Sequence, residues 1–186
     1  MKVGIAGGIG SGKSYVAARL AARGIAVYDC DEAAKRLIRT SPKLQQQLYD
    51  LVGSLDKAAI SQFLLESETN QLAINAIIHP AVFADFLQSG YYWLESAIMY
   101  ESGANHYVDR VIVVTAPKEI RLDRIMRRDN ITRRQAYQWM ARQWPQEKVQ
   151  KLADYEIIND GQQDIDKQID DIIHSLSRNS ETSKHQ

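Results

Sequence analysis

"GIAGGIGSGKSY", Gly4 to Tyr15, decides how the rest of the chain reads. Its twelve residues hold five glycines, two serines and a lysine. Glycine weakens regular structure, so such a cluster must be compensated by what it binds. Gly7, four intervening residues and then Gly12-Lys13-Ser14 fit the phosphate-binding pattern G-x-x-x-x-G-K-[ST]. Without side chains in the way, the backbone can curl so that consecutive N–H groups face phosphate oxygens. The start of the next helix adds the positive end of its dipole. On this reading Gly8, Ile9, Gly10, Ser11, Gly12, Lys13, Ser14 and Tyr15 bind ATP. Lys13 reaches the β and γ phosphates, and the Ser14 hydroxyl ligates Mg²⁺.

The context agrees. Lys2–Ala6 is a short apolar run that ends in glycines, as a buried strand would, and a helical pattern begins at Lys13. Strand-like runs recur at Ile25–Tyr28, Tyr91–Glu95, Arg110–Ala116 and Tyr155–Asp160, with helical segments between them. Alternation of this kind implies a parallel sheet covered on both faces, with ligands at the C-terminal strand edge. Asp31 is placed to cap the helix "EAAKRLIR", and Ser41-Pro42 opens another that stops at Gly53. Leu55–Ser89 reads as helical, with Asp56 as one cap, Thr69 or Asn70 as a second, and a kink or break at His79 ahead of Pro80. Pro117 starts an arginine-rich helix to about Asp129, and Thr132 caps another ending before Pro145. Ile165, Ile169, Ile172 and Leu176 form the stripe of a last amphipathic helix.

The chain of 186 residues carries 23 basic and 23 acidic side chains, so no net charge draws it to nucleic acid or an acidic membrane. Locally, Pro117–Lys151 holds ten Lys/Arg against four Asp/Glu, a surplus suited to an anionic ligand. Cys30 is the only cysteine, which excludes an intrachain disulfide and suits a reducing compartment. The apolar start is too short for a signal peptide or membrane span, and a cytoplasmic protein is expected.

A phosphate loop serves many enzymes. The Asn-Lys-x-Asp base-reading motif of GTPases is missing, and the fourth strand ends in Val114-Thr115-Ala116 rather than in an acidic pair. A small-molecule kinase fits this size best. Such an enzyme needs a carboxylate to orient the acceptor hydroxyl and take its proton. Asp29 and Asp31 lie two apart at the end of the second strand and can face one side. Arg121, Arg124 and Arg128 share a helix face and can spread the charge of a transferring phosphoryl group. Alternatives are another nucleoside or nucleotide kinase, or a nucleotide-dependent nucleic-acid-binding protein, which the neutral charge disfavours.

"GIAGGIGSGKS", "VYDCDEAAK", "IIHPAV", "IMYESG", "EIRLDRIMRRDNITR" and "ADYEIINDG" occur in the order found in dephospho-CoA kinases, and the chain resembles that family over residues 2–161. The resemblance implies a P-loop NTPase α/β fold. Its five-stranded parallel core would take residues 1–40, 91–116 and 153–178, with a helical acceptor-binding insertion at about 41–90, a lid at about 117–150 and a disordered tail at 179–186. It implies transfer of the ATP γ-phosphoryl group to the 3′-hydroxyl of dephospho-CoA by a monomer or weak oligomer. Asp31 becomes the catalytic carboxylate, with Lys13 and the lid's Arg128. Asp29, His79 and Glu101 fall to the acceptor pocket, and Asn159 and Gly161 to the adenine. Arg121 stands where the family usually has glutamine, and Tyr15 where it usually has threonine.

Overall fold

The computed structural model describes residues 1–182, with side chains to 178. The chain divides into two compact units, one of Met1–Val27 with Tyr92 onward, the other of Tyr28–Tyr91.

The first unit is built on a parallel sheet. Its strands are β1 (Val3–Ala6), β2 (Val27–Asp29), β3 (Trp93–Ser96), β4 (Arg110–Thr115) and β5 (Tyr155–Ile158), in the order β2-β3-β1-β4-β5. The unit boundary falls inside β2. β1 is flanked in register by β3 (Ala6 opposite Ser96) and β4 (Ala6 opposite Val113), and every residue of β1 is buried. Hence β1 lies inside the sheet, and the loop that leaves its C-terminal end emerges between two other strand ends. One apolar cluster unites Val3, Ile5, Ile112, Val114 and Ile157 of the sheet with α1 (Lys13–Ala21) and the final helix, through Val16, Leu20 and the Ile165–Leu176 stripe. A second joins α6 (Lys118–Asp129) to α7 (Arg133–Met140) through Leu122, Ile125 and Ala136. Thr132 starts α7 with a capping box, as its spacing to Gln135 requires.

The second unit is helical, with α2 (Cys30–Thr40), α3 (Pro42–Val52), α4 (Lys57–Glu66) and α5 (Glu68–Gln88). Leu44, Leu48 and Ile74 form its fully buried centre. Ser41 caps α3 with Pro42 behind it, and Gly53 closes it in the left-handed region.

Local readings fail in several places. Asp29, not Asp31, caps α2, accepting the Glu32 N–H at 2.9 Å. Ser67, not Thr69 or Asn70, caps α5, and the Asp56 side chain makes no cap bond at the start of α4. Pro80 does not break α5, which continues through it because Ile74 on one side and Val82, Phe83 and Phe86 on the other bury their side chains. Packing there outweighs the missing N–H. Finally α8 (Gln146–Leu152) follows Pro145, where no periodic stripe announced a helix. The last helix, α9, runs Ile165–Thr182, past the Asn179 at which the sequence suggests a tail, and residues 183–186 lie outside the described residues.

In the helical unit the Tyr28 hydroxyl donates to Asp85 at 2.6 Å, and Arg36 pairs with the same carboxylate at 2.5 Å. Burial pulls the Asp85 carboxyl upward, but the bonds from Arg36 and Tyr28 outweigh it and hold the group below its usual range. A lowered carboxyl stabilises the fold above its unfolded pKa, about 3.9, and that stabilisation disappears as pH falls through the folded value. Asp85→Asn should therefore lower the denaturant midpoint at neutral pH and flatten the acid decline below about pH 4, as read from urea melts across pH. Leu48→Ala should cost about 2–5 kcal/mol in the same assay.

Candidate functional site

The loop after β1 runs through Gly7–Ser14 into α1, with Gly12 at the N-cap. Gly10 and Gly12 have φ of 79° and 97°, a region that residues with a Cβ rarely adopt. Space is closed as well: a Cβ on Gly12 would collide with the Asn159 amide. The Gly10 and Gly12 N–H groups donate to no protein acceptor among the described residues, whereas Ser11 N–H bonds the Gly8 carbonyl at 3.1 Å. Unpartnered N–H groups beside a helix N-terminus make an anion cradle.

The loop is held by its carbonyls. Arg124 Nη1 donates to Gly10 O at 3.3 Å and Ser11 O at 3.2 Å. Asn159 Nδ2 donates to Ser11 O at 2.9 Å. Arg121 Nε donates to Ile9 O at 3.0 Å. Arg124 and Asn159 are also joined, Nη2 to Oδ1, at 3.2 Å, and Asn159 N–H bonds Thr115 O at 2.8 Å beyond the end of β5. Asn159, expected near an adenine, has its amide engaged with the loop itself.

Beside this frame lies a cavity of about 540 Å³ lined by Gly12, Tyr15, Arg19, Arg124, Asn159 and Gly161 among others. Tyr15 is half exposed, its ring under the Arg19 guanidinium at 4.4 Å, and Arg19 is paired in turn with Asp166. Ser14 Oγ lies 3.5 Å from Glu95 Oε1. Glu95 is 7 % exposed, one residue from the end of β3 and opposite Ile5 of β1. A hydroxyl beside a buried carboxylate offers the hard oxygens that suit Mg²⁺. Glu95 belongs to no motif, and its one signal in the sequence is an acid inside an apolar strand.

Arg121 and Arg124 face the loop, but Arg128 does not: its exposed side chain pairs with neighbouring Asp129 at 2.8 Å. Glu101 Oε1 accepts the Trp144 N–H at 2.8 Å, while its Oε2 is buried with no hydrogen-bond partner among the described residues. Tyr100 stacks parallel to Trp144 at 6.5 Å, and burial first, then Asp154, pushes its phenol up to about 12.

The remaining candidates belong to the helical unit. Because Asp29 takes the cap, the exposed Asp31 carboxylate in the first turn of α2 makes no hydrogen bond or ion pair among the described residues. It sits at the positive end of the helix dipole, where an anion is favoured. His79 is close enough to feel the charge of Asp31, but desolvation is the larger effect and lowers its pKa, so the ring is neutral at pH 7.

The family described as dephospho-CoA kinase matches residues 1–164. The chain belongs to the dephospho-CoA kinase family. A dephospho-CoA kinase of Bacteroides fragilis is 38 % identical over 190 residues, covering 95 % of this chain and 93 % of that protein. A Thermus thermophilus protein of known structure superposes with a TM-score of 0.83 at 26 % identity, over 95 % of this chain and 97 % of its own. The dephospho-CoA kinase of Campylobacter jejuni shares the fold, with a TM-score of 0.65 at 22 % identity, over 97 % of this chain and 100 % of that chain. For this dephospho-CoA kinase family member, the frame predicts that Asn159→Ala, which removes one of the two donors to the Ser11 carbonyl and one Arg124 bond, weakens ATP binding roughly tenfold in a calorimetric titration.

Proposed function

We propose that the chain phosphorylates the 3′-hydroxyl of dephospho-CoA with the γ-phosphoryl group of ATP, giving coenzyme A. The observation that carries the reading is a carbonyl-anchored loop with free Gly10 and Gly12 N–H groups, in a chain of this family. The loop binds the triphosphate, and Lys13 at the start of α1 adds a cation. Ser14 and Glu95 would hold Mg²⁺, which neutralises phosphate charge when bound. Tyr15 and Gly161 flank the nucleoside, in keeping with the cavity they line.

Asp31 orients the acceptor hydroxyl and takes its proton as the new P–O bond forms. That its carboxylate takes part in no hydrogen bond or ion pair among the described residues supports that role, since a carboxylate committed to a cap could not serve. Asp29 acts through the α2 cap. Neutral His79 can donate or accept a hydrogen bond toward the acceptor, and Glu101 has one oxygen available. The helices of about 41–90 form the acceptor side, and the segment of about 117–150 acts as a lid carrying Arg128 over the phosphoryl group. The enzyme works in the cytoplasm as a monomer or weak oligomer, without nucleic acid. Among the described residues no helix is long and apolar enough to cross a membrane.

Mass spectrometry of dephospho-CoA incubated with MgATP and the protein tests the reading, with a gain of one phosphoryl group at the ribose 3′ position expected. Asp31→Asn should lower kcat by about 10²–10⁴-fold and leave ATP affinity within twofold or so. Lys13→Ala should damage both. Turnover of Asp31→Asn at the normal rate would remove Asp31 from the chemistry.

A further inference from the structure

One N–H of the loop does not belong to the cradle. Ile9 donates to Gln143 Oε1 at 2.7 Å, so a side chain 134 residues away in sequence takes an amide that the motif would offer to phosphate. The Ile9 carbonyl is taken from the other side by Arg121. The Ile9 side chain packs with the Leu122, Ile125 and Ala136 cluster. All three handles of this residue are thus held, both its polar groups and its side chain. The fit is close on either side: a Cβ on Gly8 would strike the Arg121 guanidinium and meet Gln143 Oε1 at 3.1 Å, and one on Gly10 would lie 2.7 Å from the Arg121 carbonyl.

Arg121 is unusual in its setting. It is 6 % exposed and forms no ion pair among the described residues. Its oxygen partners are neutral, the Ile9 carbonyl and Gln146 Oε1, the latter at 3.4 Å and also accepting the Ala116 N–H. Glu147 acts on it only through its charge, without a direct bond, and a buried guanidinium that no carboxylate contacts is unfavourable for folding alone. Its position makes sense as part of an anion site.

We propose that Arg121 and Gln143 are positioning residues that preset the phosphate loop, fixing the Ile9 peptide before nucleotide arrives so that the neighbouring Gly10 and Gly12 N–H groups already point into the cradle. A glycine-rich loop that had to be ordered by its ligand would bind more weakly, because the lost backbone freedom opposes binding. A grip on its one large apolar residue removes that opposition. The proposal rests on the reading that this loop binds ATP.

Calorimetric titration of the full-length protein with ATP, without acceptor, tests it. Gln143→Ala is expected to weaken ATP roughly three- to tenfold. Arg121→Ala should do at least as much, and Arg121→Gln, which keeps an N–H donor for the Ile9 carbonyl, should recover part of the loss. Both side chains act on one residue, so the double variant should lose less than the product of the single losses. In turnover assays the KM for ATP should rise and that for the acceptor stay within about twofold. Gln143→Ala binding ATP as tightly as the unaltered protein, or single losses that multiply, would overturn the proposal and leave the assigned reaction standing. If the unaltered protein binds no ATP, the loop assignment falls, and the grip on Ile9 with it.

Discussion

A loop that binds anions through backbone N–H groups cannot satisfy those groups itself. It must be fixed by its other polar atoms, the carbonyls. Here the carbonyls of three successive residues, Ile9, Gly10 and Ser11, are held by Arg121, Arg124 and Asn159. Most of the remaining architecture serves that requirement. β1 is buried between β3 and β4 so that its end is a rigid starting point. α6 supplies two arginines one turn apart, and the chain leaving β5 supplies Asn159, itself tied to Thr115 of β4. The same contacts put cations behind the loop, which favours a highly charged anion in front of it.

The arrangement also separates two tasks that the arginine-rich stretch might have been thought to share. Arg121 and Arg124 are structural partners of the loop, held by neutral oxygens. Arg128, one turn further on, is turned toward Asp129 and solvent and is not committed to the loop. In the helical unit a comparable division holds: Asp29 closes the backbone of α2, and Asp31 is left with an uncommitted carboxylate.

How much of this the sequence discloses follows the range of the interactions. The loop motif, the Ser41-Pro42 and Thr132 caps and the Ile165–Leu176 stripe depend on residues a few positions apart, and they were legible. The strands were legible because each is a short apolar run bounded by turn residues. Pro80 misled, since a local rule gave way to burial on both sides of it. The choice between Asp29 and Asp31 as cap turned on a helix start displaced by two residues. Gln143 and Glu95 lie in no motif and their partners, Ile9 and Ser14, are 134 and 81 residues away, so local pattern left Gln143 unmarked and Glu95 marked only as an acid in an apolar strand.

The central claim is that free N–H groups on a carbonyl-anchored loop receive the triphosphate. A crystal structure with a non-hydrolysable ATP analogue and Mg²⁺ tests it most directly. The account predicts β-phosphate oxygens within hydrogen-bond distance of the Gly10 and Gly12 N–H groups, with the Arg124 and Asn159 bonds to the loop carbonyls unchanged. Triphosphate bound away from residues 7–14, or a loop that releases those carbonyls to bind it, would contradict the account.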